Sequence, residues 1–208
     1  MALRVAGWLA GGIVVFLSMR FLAREALPYL MHVDPILYGR YWPRRGWLLV
    51  HVVAGSLALL LGPVQLLANL WLRRVSAHRW IGRSYLAAVI ICGFTACYLS
   101  VFDPAGRVFM IAFQTLAVVW MGSAVMAYMA IRRGQVMMHQ DWLLRSYVLG
   151  YTVVTFRLVV ELPWFLYTGR EEELTIGWLS WTVPLFITEL ALSGRRFRSR
   201  LEGETRRG

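Results

Sequence analysis

Lysine is missing from this sequence and cysteine is scarce, although basic residues are plentiful. All 22 basic residues are arginine, and against 11 acidic residues they give a net charge of +11. The two cysteines, Cys92 and Cys97, lie five positions apart in one apolar run. They would point about 140° apart on a helix, so no disulfide framework is predicted.

The motifs of soluble enzymes are also missing. The chain has no Gly-rich phosphate loop, no GxSxG, no HExxH and no CxxC. Its residues are 59% hydrophobic and its mean hydropathy is +0.57, well above a soluble domain. The sequence therefore indicates a membrane protein, whose arginines set the topology and contact anionic lipid headgroups rather than nucleic acid.

Six stretches are long and apolar enough to cross a membrane, which takes about 20 residues each. They predict an all-α integral membrane protein, a bundle of six transmembrane helices. Residues 1–194 form this single domain, and residues 195–208 form a basic tail that is poorly ordered or lies on anionic lipid. The predicted spans are 6–23, 47–71, 81–102, 107–131, 143–168 and 175–194.

The arginines in the connections predict the orientation. With the N-terminus in the cytoplasm, fourteen of them fall on the cytoplasmic side and six on the outer side, which also holds the run Glu171–Glu173. The positive-inside rule then favours an N-in, C-in protein. The expected location is the bacterial inner (plasma) membrane, crossed several times.

Ionisable residues inside the predicted spans are the default functional candidates, because a charge in the membrane is costly. Arg157 and Glu161 lie four residues apart, so they share a helix face and are expected to pair. This buried pair either locks the bundle or forms a proton or anion site. Glu189, near the inner end of the sixth span, is expected to meet Arg145 or Arg83 in a structural ion pair.

Two histidines give the most specific hypothesis. His78 and His139 begin the third and fifth spans, and each precedes an Arg-Ser-Tyr triplet, which suggests a parallel internal repeat. If the two helices pack together, the imidazoles lie at one depth as in bis-His haem ligation. Arginines near them, Arg79, Arg83, Arg133 and Arg145, then bind the haem propionates, and Trp80, Trp142, Tyr85 and Tyr147 enclose the ring. The alternative is that both histidines contact lipid headgroups or backbone carbonyls.

A third histidine, His51, lies at the outer end of the second span. It precedes Ala54, Gly55 and Ser56, small residues that permit a flat ligand or a neighbouring helix to approach closely. A second haem with His51 and Met110 is one interpretation. Another is a divalent metal bound by His32, Asp34, His51 and Asp103, although their spacing does not demand it and no metal site is predicted.

A set of short motifs resembles a bacterial family of predicted membrane proteins of unknown function. They are His51 with Gly62-Pro63-x-Gln65, His78-Arg79-x-x-Gly82-Arg83-x-Tyr85, Arg132-Arg133-Gly134, His139-x-x-Trp142-x-x-Arg145-Ser146-Tyr147 and Thr155-x-Arg157. The resemblance covers roughly residues 47–190. It implies a membrane topology and no particular activity.

The chain is also distantly similar to the six-helix b-type cytochromes, which carry four haem-ligating histidines on helices two to five. His51, His78 and His139 match three of these placements, but the fourth predicted helix has no histidine. The resemblance therefore implies one haem b, between His78 and His139.

These observations leave three functions open. The first is a haem redox protein that exchanges electrons with quinol or a partner protein. The second is a small transporter or a lipid- or anion-binding protein that uses Arg157, Glu161 and the basic cytoplasmic rim. The third is a non-catalytic subunit or assembly factor.

Overall fold

The computed structural model describes residues 2–66, 75–161 and 170–205. The predicted span ends 67–71 and 162–168 lie outside these residues. Every regular element in the described ranges is helical: α1 (Ala2–Phe21), α2 (Leu27–Met31), α3 (Pro35–Tyr38), α4 (Arg45–Leu66), α5 (Val75–Ser100), α6 (Arg107–Arg132), α7 (Val136–Gly150), α8 (Thr152–Val160) and α9 (Arg170–Thr205). A π-helical segment, Leu22–Ala26, follows α1, and a 3-10 segment, Gly39–Arg44, precedes α4.

Five helical segments are long and apolar enough to cross a membrane. They are Pro35–Gln65, Ser76–Ser100, Arg107–Arg132, Val136–Val160 and Leu174–Arg198. These five correspond to the second to sixth predicted spans, so the helical membrane architecture is confirmed. The first predicted span coincides with α1 and the π-helical segment but is not among the five.

The four helices α4 to α7 pack in sequence, each against the next, and α7 closes the ring by contacting α4. Neighbours run antiparallel, because Gln65 near the end of α4 binds the start of α5, and Arg40 before α4 binds Asp103 after α5. We call the end where α5 and α7 begin the histidine end, and the end where α4 and α6 begin the opposite end. Helix α9 packs on α6, α7 and α8.

The core is built from small residues that let the helices approach closely. Alanines dominate the buried face of α6, and Gly62 of α4 faces the ring of Tyr147 so closely that an added Cβ would lie 2.2 Å from it. Gly150 faces Trp120 in the same way, at 3.0 Å. Packing of this kind holds membrane helices together, since burial from water contributes little there.

The segment after residue 194 is helical and not irregular, because α9 continues without a break as a 36-residue helix through Thr205. The alternative expectation, that the tail lies on anionic lipid, stays a prediction. Arg195 and Arg196 of this helix both bind Asp141 of α7. The apolar pattern ends near residue 194, but these contacts show that the fold does not.

Candidate functional site

A tight turn places the two histidine-bearing helices at the same end of the bundle. Gly134 adopts φ +72°, a conformation that favours glycine, and its N–H donates to the carbonyl of Ile131 while that of Gln135 donates to Ala130. This pair of bonds is a Schellman motif, which ends α6 and lets α7 begin at Val136. The start lies seven residues before the predicted span, so His139 is in the first turn of α7.

His139 is anchored by that packing. Its Nδ1 lies 2.8 Å from the backbone carbonyl of Ala127 on α6. Because a carbonyl oxygen only accepts, Nδ1 must carry the proton, and Nε2 is left with a free lone pair. Histidines that bind metals commonly use this arrangement.

His78 occupies the equivalent place on α5. The buried Gln65 side chain donates to its carbonyl oxygen at 2.9 Å, which fixes the start of α5 against the end of α4. The Nδ1 atom of His78 is buried and has no hydrogen-bond partner among the described residues. An unpaired buried polar atom is costly, so a ligand that pairs with this nitrogen would stabilise the site.

Both histidines line one cavity of about 500 Å³ at the histidine end, which we call the histidine cavity. Three arginines, Arg79, Arg83 and Arg132, line it too, and none of its lining residues is acidic. No carboxylate of the described residues pairs with these three arginines. The cavity is therefore electropositive and suits an anionic ligand. The remaining lining residues are Gln65, Gly82, Tyr85, Leu86, Ala124, Ala127, Tyr128, Ile131 and Leu143.

Several residues predicted around the histidines lie elsewhere. Arg145 does not line the cavity: its Nε and one terminal nitrogen donate to Glu189 at 2.5 and 2.8 Å, and it stacks on Trp142. Arg132, which the sequence analysis did not select, takes the place expected for Arg133. Trp80 is 67% exposed on the outer face of α5, under the guanidinium of Arg83.

The two Arg-Ser-Tyr triplets meet in the core. The Tyr85 hydroxyl of one lies 2.8 Å from the Ser146 hydroxyl of the other, and both residues are buried. This bond joins α5 to α7 beside the histidine cavity, which Tyr85 lines. Tyr147 of the second triplet packs instead against Gly62.

The expected Arg157–Glu161 pair is not formed. Helix α8 ends at Val160, and the two side chains bind the end of α1 and the π-helical segment instead. Arg157 pairs with Glu25 at 3.3 Å, and Glu161 pairs with Arg20 and Arg24. Spacing along one helix could not show that these partners are present. The side chains are 52% and 33% exposed, so this is not a buried pair.

Asp141 is the polar residue that sequence reasoning missed. It is 5% exposed and accepts hydrogen bonds from Arg195 and Arg196 of α9, the second at 2.6 Å. Its position could have indicated its importance. It lies only five positions after the start of a membrane helix, and an acidic residue inside a membrane needs a partner.

His51 lines a separate cavity nearer the opposite end. Because Met110 does not line that cavity, the structure gives no His–Met pair for a second haem. The proposed divalent site is also not assembled, because Asp103 binds Arg40 and Tyr41 while Asp34 caps α3. Among the residues that could be searched, no three His, Cys, Asp or Glu side chains are grouped to bind a metal.

The pattern of the family described as "Predicted membrane protein (DUF2306)" matches residues 48–192. Because this match covers more than half of the chain, the protein belongs to that family. Neither the curated proteins nor the solved structures gave a match. The family match agrees with the motif resemblance and with the five apolar helices, and it identifies a multi-pass membrane protein without assigning an activity.

Proposed function

We propose that this membrane protein is a redox protein that binds one b-type haem in the histidine cavity, where His78 and His139 would hold the iron. One observation carries the proposal: two imidazoles line the same electropositive cavity of about 500 Å³, and none of the described residues that line it is acidic. The cavity is in the size range of small-molecule sites.

The donor set fits the group. His139 has its Nδ1 proton bound to Ala127, which leaves Nε2 to donate a lone pair, and the buried Nδ1 of His78 lacks a partner. Neutral imidazoles of this kind are common haem ligands.

The arginines supply the anion-binding half of the site. Arg79, Arg83 and Arg132 are available to the haem propionates through charge-assisted hydrogen bonds, whereas Arg145 is already bound to Glu189. Bound haem would provide one-electron transfer, with quinol or a partner protein as the other reactant. The burial and the two ligands would set its potential.

The visible spectrum of the detergent-purified protein tests this proposal. We expect a Soret band and a reduced α-band in the wild type, and loss of both bands in His78→Ala and His139→Ala. The matched control is His32→Ala, which removes an exposed histidine outside the bundle core and should leave the spectrum unchanged. A folded protein that stays colourless after haem is supplied during expression would overturn the proposal.

A second function is favoured by the same arginines without haem: binding of an anionic lipid headgroup or another anion in the histidine cavity. In that case the purified protein should retain phosphatidylglycerol, and Arg83→Gln should lose it, while Arg44→Gln, stacked on Phe102 at the opposite end, should not. Equal lipid retention in all three proteins would count against this function. The sequence also suggested that Arg157 and Glu161 bind the anion. That version of the function loses support, because Arg157 is paired with Glu25 and Glu161 with Arg20.

The topology is part of the proposal: α1 is a sixth span, and both termini face the cytoplasm of a bacterial inner membrane. The arginine distribution supports it. Reporter fusions at the connection between α5 and α6 and at the C-terminus test it, since the first should be periplasmic and the second cytoplasmic. The reverse pattern would refute the orientation.

A further inference from the structure

A second cavity of about 290 Å³ lies between α4, α5, α6 and α7, nearer the opposite end. We call it the apolar cavity. Aromatic and aliphatic side chains form most of its wall, among them Leu99, Phe113, Leu116, Trp120 and Val153. Such a wall favours a flat, lipophilic ligand, since ligand pockets are mostly apolar with a few placed polar groups.

The charged residues at the cavity are already neutralised. Glu25 pairs with Arg157, and Asp103 accepts hydrogen bonds from Arg40 and Tyr41 at 3.0 Å each. Apart from His51, no other acidic or basic side chain is among the described residues that line it. The cavity therefore suits a neutral ligand, in contrast to the histidine cavity.

His51 is the one imidazole in this wall, and its tautomer follows from its partners. Nδ1 lies 3.2 Å from the carbonyl of Cys92 and 3.1 Å from the hydroxyl of Thr95. The Thr95 hydroxyl donates to backbone carbonyls of its own helix, so its oxygen accepts from the imidazole. Nδ1 therefore carries the proton, and Nε2 is an acceptor with no partner among the described residues.

We infer that the apolar cavity binds a neutral lipophilic ring that carries a hydroxyl group, of the phenol or hydroquinone class. The ring packs on Phe113 and Leu116, and its hydroxyl donates a hydrogen bond to Nε2 of His51. The ring's oxidised quinone form lacks this donor and leaves Nε2 unpaired, which makes it the weaker ligand. The inference concerns binding alone and does not rest on haem in the other cavity.

The test compares three probes by anaerobic titration calorimetry on the detergent-purified full chain. They are tetramethylhydroquinone, its quinone, and its dimethyl ether. We expect the hydroquinone to bind about tenfold more tightly than either of the others, the usual cost of leaving one buried acceptor unpaired. Equal or weaker binding of the hydroquinone to the wild type would overturn the inference, and this comparison requires no variant to fold.

Variants then locate the site. His51→Phe should make the three probes bind alike, and Ala96→Phe should abolish binding by filling the cavity. The matched control is Ala87→Phe, on the exposed face of the same helix, which should bind as the wild type does. Tenfold preference retained in a folded His51→Phe, or unchanged binding in a folded Ala96→Phe, would refute the assignment. His78→Ala should not affect binding of the three probes. A failure of the haem proposal can therefore be distinguished from a failure of this inference.

Discussion

The histidine cavity and the apolar cavity are both lined by residues of α4 to α7 but have opposite polar character. The first is lined by three arginines with no carboxylate, while in the second the two carboxylates are each paired with an arginine. The difference shows that counting charges at a membrane protein's ends does not find its sites. What matters is which charges the fold leaves unpaired.

A buried layer separates the two cavities. On each of the four helices, the residues lining one cavity end before those lining the other begin. Ala88, Val89, Ser146 and Tyr147 are buried between them and line neither. We call these residues the dividing layer.

The largest expected effect comes from disturbing this layer at Gly62. A Cβ there would lie 2.2 Å from the Tyr147 ring, so Gly62→Ala should lower the free energy of unfolding by about 1–3 kcal/mol through overpacking. Denaturant titration in detergent measures it. Gly122→Ala on α6, with nothing within 4 Å of its added Cβ, is the control and should be neutral or slightly stabilising. If both variants are equally stable, Tyr147 is free to move and the layer is not fixed.

A smaller effect distinguishes structural arginines from ligand-binding ones at the histidine end. Arg145→Met removes the partner of Glu189, which is 44% exposed, and should cost about 1–2 kcal/mol of unfolding free energy. Adding Glu189→Gln to the Arg145→Met protein should recover part of the lost unfolding free energy. Arg83→Met should leave stability unchanged and weaken ligand binding in the histidine cavity. The reverse result, with Arg145 needed for the ligand and Arg83 for stability, would contradict our assignment of the two residues.

The smallest effect is expected at the opposite end, where Glu161 follows α8. A hydrogen bond from Arg20, aided by the charges of Arg24 and Arg157, holds the pKa of the Glu161 carboxyl below its ordinary value. A lowered folded-state pKa stabilises the fold above the unfolded-state pKa, and this gain disappears as the pH falls through the folded-state value.

Arg20→Gln should therefore melt slightly lower than the wild type near neutral pH. The difference should shrink as the pH falls below the ordinary glutamate pKa of about 4.3 and vanish below the lowered folded-state pKa. Melting temperatures measured from about pH 3 to 7 provide the comparison. Arg107→Gln, at the start of α6, serves as the control. A difference in melting temperature that persists undiminished in acid would show that Arg20 acts through packing and not through Glu161.

The long helices were predictable because hydropathy alone specifies them. Five of the six predicted spans correspond to helices that are long and apolar enough to cross a membrane. Their ends were less predictable where polar residues lie inside the helix. The first turns of α7 contain His139, Gln140 and Asp141, which break the apolar run although the backbone is already helical. The Schellman turn at Gly134 is the local signal that places the start correctly.

The positions of the two histidines follow from the sequence, but their role does not. His78 and His139 begin helices that run in the same direction, and both line the histidine cavity; their role as haem ligands stays a prediction. The pairing of charges was predictable for Arg145 and Glu189 but not for Arg157 and Glu161. In the second case the partners come from a segment more than a hundred residues earlier, and one helix's spacing contains no information about them.

Helix α9 is longer than a membrane crossing requires. Its 36 residues span about 54 Å, whereas the hydrocarbon core of a bilayer is about 30 Å thick, so the helix projects well beyond the core. Near the end of this helix, Arg195 and Arg196 bind Asp141, two residues from His139. The C-terminal part of α9 is therefore fixed to α7, the helix that bears His139.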